Sequence, residues 1–136
     1  MPVVYVTRRM HFSAAHRLHS DELDAEANRQ LYGLCNNPLG HGHNYELEVT
    51  VCGEPDPATG MVIDLKVLKE IIQRHVIDLV DHKHLNHEVG FMAGRIPTAE
   101  NIAVAIWEIL VRQLPVRLHE VKLYETERNL AVYRGE

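Results

Sequence analysis

Cysteine is scarce in this chain of 136 residues. Two thiols, Cys35 and Cys52, cannot make the set of bridges that staples small secreted domains, and unpaired thiols suit a reducing, cytoplasmic setting. Long apolar runs are missing too. Nothing approaches the ~20 apolar residues of a membrane span. The N-terminal MPVVYVTRR lacks the basic stretch before an apolar one that marks a secretion signal, so no membrane partner is expected. Basic charge is short: 14 Lys and Arg against 19 Asp and Glu leave a net charge of -5, which gives a nucleic-acid role no electrostatic support. Low-complexity segments, linkers and repeats are absent. What remains, 46% hydrophobic and 24% charged, is the composition of a globular protein. The length suits one domain, residues 1–136, with a single core.

Histidine, by contrast, is in excess, with ten copies. The stretch Cys35-Asn36-Asn37-Pro38-Leu39-Gly40-His41-Gly42-His43-Asn44-Tyr45 concentrates the chemistry. His41 and His43 stand at i and i+2, which in a strand puts both imidazoles on one face. Such a pair is half a zinc site, and a third ligand must come from elsewhere. The alternative is two surface histidines at a strand start with Cys35 an ordinary buried thiol. Gly40 and Gly42 leave room for close backbone approach and unusual φ/ψ.

Residues 3 to 14 alternate as a strand, with Val4, Val6, Arg8, Met10, Phe12 and Ala14 on one parity. His16 shares that parity if the strand persists. Alone it reads as a core histidine; beside His41 and His43 it becomes the candidate third ligand. Residues 17 to 40 are a long connection, of the kind that often carries function. Within it Ser20 caps a predicted short helix with an acidic first turn. Asn44 to Cys52 alternates again, Tyr45, Leu47, Val49 and Val51 facing the core and Glu46, Glu48, Thr50 and Cys52 facing away. The turn Glu54–Gly60 leads to a possible short strand at Met61–Ile63. Asp64 caps an amphipathic helix over residues 65 to 80, whose apolar stripe is Leu65, Leu68, Ile71, Ile72, His75, Val76 and Leu79. Asp81 and His82 follow it. A carboxylate beside an imidazole can orient it and raise its pKa, making an acid/base pair, or it is a polar loop. Pro97 and Thr98 open a second helix with Glu100 in its first turn, and Pro115 ends it; Trp107 reads as core. Residues 116 to 126 and 129 to 134 are two more strands. Glu125 shares the parity of Val121 and Leu123, and a carboxylate there wants a partner. That partner is an arginine or lysine, or a heterocycle offering two parallel N–H donors. The order ββααββ predicts an α+β fold with two helices on one face of a four-stranded antiparallel sheet.

The motifs Phe12-Ser13-Ala14-Ala15-His16-Arg17-Leu18, Cys35-Asn36-Asn37-Pro38 with Gly40-His41-Gly42-His43-Asn44-Tyr45, Asp56-Pro57-Ala58-Thr59-Gly60-Met61, Asp81-His82-Lys83, Thr98-Ala99-Glu100-Asn101 and Tyr124-Glu125-Thr126 together resemble the 6-pyruvoyltetrahydropterin synthase family. The resemblance implies the tunnelling fold, with trimeric barrels stacked into a homohexamer. It implies zinc on His16, His41 and His43 with an open position. The implied substrate is 7,8-dihydroneopterin triphosphate, whose side-chain hydroxyls bind the zinc. Cys35 is then the proton-transferring base and not a ligand, activated by Asp81 and His82. Glu125, with Thr98 and Glu100, binds the pterin. The implied reaction eliminates triphosphate and, by internal redox shift, yields 6-pyruvoyltetrahydropterin. A related enzyme, 6-carboxytetrahydropterin synthase of queuosine biosynthesis, uses the same zinc site and substrate. The five residues between Cys35 and His41 resemble the pyruvoyl branch. A non-catalytic pterin- or purine-binding protein is the reading from another class, and the presence of Cys35, Asp81 and His82 speaks against it.

Overall fold

A computed structural model describes residues 1–136. The sheet has five strands in the order β3-β1-β2-β4-β5: β1 (Val4–His16), β2 (His41–Gly53), β3 (Lys83–His84), β4 (Arg117–Tyr124) and β5 (Leu130–Tyr133). All pairings are antiparallel except β1 with β3, which is parallel. The expected four-stranded antiparallel sheet is therefore corrected to a mixed, five-stranded one. Two residues are too short for any periodicity to reveal β3, and it exists because the backbone just after the Asp64-capped helix bonds to the β1 edge. There His82 N–H donates to Ser13 O at 2.6 Å and Leu85 N–H to Ala15 O at 2.8 Å.

Alternation in β1 and β2 divides the sheet into two faces. Phe12, Tyr45, Leu47, Val49, Val121 and Leu123 are buried on one. The other is polar, with Arg9 bonded to Glu48 at 2.6 Å and Ser13 to Asn44 at 2.7 Å. The helices cover the apolar face. Helix α2 (Leu65–Ile72) starts at Asp64, whose carboxylate accepts from Lys66 N–H, as expected. It runs through a π-helical turn, Gln73–Ile77, into α3 (Asp78–Val80). The wide turn inserts a residue into the helical phase. Val76, Ile77 and Val80 are buried, whereas Leu65 and Leu79, expected on the stripe, are about half exposed at 52% and 47%, and His75 is only part-buried. Helix α4 (Ala99–Gln113) buries Ile102, Ala103, Ala105, Ile106 and Leu110. Trp107 sits at the core margin, edge-on to Tyr133.

Three further expectations are corrected. Helix α1 (Ala25–Tyr32) is capped by Asp24, which accepts from Ala27 N–H, and not by Ser20; Ser20 instead closes a turn with Glu22 and Leu23. Met61–Ile63 is no strand, because the Met61 carbonyl accepts from Asp56 N–H at 3.0 Å and closes the loop on itself. A register shift at Thr50/Val51 accompanies the burial of Cys52, which parity had placed on the polar face.

Candidate metal centre

Strand register assembles the site. His16 lies directly opposite His41, and Ala14 opposite His43, so the three imidazoles converge at one end of the covered face. Their ring centroids are 4.6–5.4 Å apart. Gly40 makes this convergence possible. Its φ is +78°, and a Cβ there would stand 2.5 Å from the His16 carbonyl oxygen, so only glycine lets the chain enter β2 at this point. Gly42 is under no such constraint, since a Cβ there makes ordinary contact.

The tutor of His16 is a backbone carbonyl. Its Nδ1 lies 2.8 Å from Pro97 O; a carbonyl only accepts, so Nδ1 carries the proton and Nε2 keeps its lone pair. The Tyr45 hydroxyl stands 3.2 Å from the same Nδ1, buried and stacked on Phe12 at 4.9 Å. Pro97 is held by the start of α4, where Thr98 Oγ accepts from Asn101 N–H. Thus a helix cap orients a histidine on a strand 81 residues away.

Cys35 comes from the connection. It lies in the 3-10 turn Gly33–Asn36, whose ends are fastened to the exit of β1: Leu18 N–H donates to Cys35 O at 2.7 Å and the Asn36 amide donates to Leu18 O at 2.7 Å. The thiol sulfur is 3.0 Å from His41 Nε2. One ligating atom from each of His16, Cys35, His41 and His43 lies within 4.8 Å of the others. His16 Nε2 and His43 Nε2 are buried without a hydrogen-bond partner. Orphaned imidazole nitrogens aimed at one point are unfavourable unless something electrophilic is placed there, and they fit a metal ion.

Electrostatics favour ligation. Burial lowers the pKa of His16 against the opposing pull of Pro97 O and Glu125, and burial lowers that of His43 against Glu125. Both are therefore neutral at physiological pH, the state a metal requires. Burial, then the Glu125 carboxylate, raises the Cys35 pKa. This chain's own groups therefore do not lower the Cys35 pKa; a bound cation would have to do so.

The remaining predicted residues divide. Glu125 has no arginine or lysine partner; the one basic group it approaches is His43, whose Nε2 stands at 3.5 Å, too far for a hydrogen bond. Glu125 and Glu100 line one cavity of ≈ 390 Å³ with Ala99, Asn129 and the start of β5. Thr98 is engaged as the α4 cap. Asp81 and His82 pair at 3.0 Å, and Asp81 also accepts from Ser13 N–H at 2.9 Å. That bond, then His82, holds the Asp81 carboxyl below the usual range. His82 is exposed and adopts φ +61°. Neither hydrogen-bonds Cys35 within the chain, so the expected Cys-Asp-His unit is not assembled by one copy.

A family model described as 6-pyruvoyl tetrahydropterin synthase matches residues 5–136. A Homo sapiens protein named 6-pyruvoyl tetrahydrobiopterin synthase is 52% identical over 132 residues, covering 96% of this chain and 91% of that protein. One of the same name from Poecilia reticulata is 50% identical over 133 residues, covering 97% and 90%. The chain belongs to the 6-pyruvoyl tetrahydropterin synthase family. A solved structure of the Caenorhabditis elegans 6-pyruvoyl tetrahydropterin synthase superposes with a TM-score of 0.94 at 42% identity, covering 100% of this chain and 98% of that one. Within this family frame, sequence reasoning missed the Pro97 carbonyl and the Tyr45 hydroxyl. A carbonyl has no side-chain signal, and Tyr45 was read only as an apolar strand residue.

Proposed function

We propose that this chain is a zinc-dependent lyase that converts 7,8-dihydroneopterin triphosphate to 6-pyruvoyltetrahydropterin with loss of triphosphate. The observation that carries the reading is the pair of orphaned, buried Nε2 atoms of His16 and His43 beside His41 and Cys35, in a chain of this family. His16, His41 and His43 would hold zinc. When bound, the ion supplies Lewis acidity to the substrate's side-chain hydroxyls and the adjoining C–H bonds.

The chain's own groups do the rest. Cys35 Sγ, fixed beside His41, moves the proton. Glu125 accepts from the pterin ring N3–H and 2-amino group with both oxygens, a match that needs no cationic partner. Glu100 shares its cavity, and Thr98 fixes the loop that orients His16. Asp81 and His82 complete the acid/base set from a neighbouring copy, because within one chain they do not bond to Cys35. This reading calls for active sites between subunits of a homohexamer, and the single-chain sheet has free edges at β3 and β5 for such pairing. A monomer in light scattering at micromolar concentration would contradict it. No helix is long and apolar enough to cross a membrane; two free thiols suit the reducing cytoplasm.

Mass analysis of the products from 7,8-dihydroneopterin triphosphate tests the function. The expected products are 6-pyruvoyltetrahydropterin and inorganic triphosphate. Acetaldehyde with a carboxylated pterin would assign the chain to the 6-carboxytetrahydropterin branch, and binding without turnover would leave a pterin-binding protein.

A further inference from the structure

In the reading above Cys35 is only a base, yet its sulfur stands where a ligand would. The ligating atoms of His16, Cys35, His41 and His43 are all within 4.8 Å of one another. Metal bonds of about 2.0–2.1 Å to nitrogen and 2.3 Å to sulfur in a tetrahedron put the ligand atoms roughly 3.3–3.7 Å apart. Closing the cluster onto an ion therefore takes movements of about an ångström at most, which side-chain torsions absorb. Sγ is already 3.0 Å from His41 Nε2, and Glu125 is outside the four-atom group.

The position of the sulfur is built. Two bonds of 2.7 Å fasten its turn to Leu18, two residues beyond His16. The thiol and the first metal-binding histidine are thus tied to the same strand end. His16 is fully buried and its Nε2 has no other partner, so a fourth donor within reach of the three imidazoles would complete a closed shell. Catalytic zinc sites keep a position open for substrate, whereas structural ones fill all four. Here the filling group is also the group that must act as base.

We propose that Cys35 is the fourth ligand of the metal in the substrate-free enzyme and that the substrate's hydroxyls displace it. The proposal rests on the reading of this cluster as the metal centre. On loading, the S–H bond breaks as the sulfur–metal bond forms, and the proton leaves to solvent. When a substrate hydroxyl oxygen takes the position, the sulfur–metal bond breaks and both its electrons stay on sulfur. The thiolate is then free beside the bound side chain, ready to accept the proton that the reaction removes. No external oxidant or base enters. The sulfur–metal bond would hold Sγ in the cluster until a substrate hydroxyl takes its place.

The test uses the full chain loaded with Co2+ and, separately, with Zn2+. Substrate-free wild type is expected to show a sulfur-to-cobalt charge-transfer band and, in zinc X-ray absorption, one sulfur neighbour at about 2.3 Å. Cys35→Ala should lose both and still bind one metal, with unchanged circular dichroism; Cys52→Ala should keep both. Saturation with 7,8-dihydroneopterin, which carries the hydroxyls without triphosphate, should abolish the band in wild type. A metal-loaded wild type with only nitrogen and oxygen neighbours overturns the ligation and leaves the metal centre standing. A wild type that takes up no metal overturns the reading beneath it. A band that survives saturating dihydroneopterin overturns the displacement.

Discussion

Replacing Glu125 by glutamine separates recognition of the pterin from support of the fold. The side chain is 19% exposed and the one basic group it approaches, His43, is 3.5 Å away. Burial lowers the His43 pKa, so near neutral pH the imidazole is uncharged and the contact is no ion pair. Losing the carboxylate therefore removes little stability, and it relieves the cost of a partly buried charge without a cationic partner. Binding responds differently. A carboxylate accepts from ring N3–H and the 2-amino group together, and charge-assisted hydrogen bonds contribute roughly 1.5–3 kcal/mol each. Glutamine keeps the shape but turns one acceptor into a donor facing a donor. The expected loss is at least ~10-fold in affinity, about 1.4 kcal/mol, with zinc content unchanged. Calorimetric titration with 7,8-dihydroneopterin and a thermal melt on the same variant decide the matter. Unchanged affinity with a melting temperature lowered by about 4 °C, the signature of roughly 1 kcal/mol lost in a chain of this size, would refute the reasoning.

Alanine at His16, His41 or His43 should each lower zinc content by orders of magnitude, and full zinc in all three by metal analysis would remove them as ligands. Cys35→Ala should fold and lose turnover while Cys52→Ala stays active; equal losses in both would make the effect structural. Gly40→Ala meets both a left-handed φ and the His16 carbonyl at 2.5 Å, so denaturant melts should show a cost of at least ~1–3 kcal/mol. Metal-free protein should lose stability as pH falls below about 6.5, the ordinary histidine value. The folded pKa values of His16 and His43 are lowered, so below that pH the unfolded chain binds more protons and the fold is disfavoured, with the loss complete below the folded values. A melting temperature flat from about pH 7 to 5 would count against buried, neutral imidazoles in the apo site.

How much of this was legible depended on the range of the interaction. Alternation with period two put His16, His41 and His43 on the covered face before any pairing was known, and the antiparallel register then set His16 opposite His41. Helix caps at Asp64 and Thr98 were legible because capping is local. The π-turn was not: it costs no unusual residue and shows only as a one-residue slip of the buried set after Val76. The two-residue β3 was invisible because its pairing depends on bonds from the β1 edge to residues 82–85, beyond the reach of pattern.

The site divides along the same line. Face and residue type were local information, so the three candidate ligands that the fold brings together could be read. Tautomer and aim were not, because they come from Pro97 O, delivered by the start of a helix distant in sequence. The sulfur is the sharpest case. Spacing placed Cys35 six residues before His41 but could not say whether its side chain turned toward the ligands. The bonds of its turn to Leu18 decide that it does. The same fastening keeps the thiol where burial and Glu125 oppose its ionisation. In the proposed reaction a base held in that place is useful only if a cation offsets that opposition, so the geometry that fixes the part-buried Cys35 beside His41 also makes its proposed reactivity conditional on a metal.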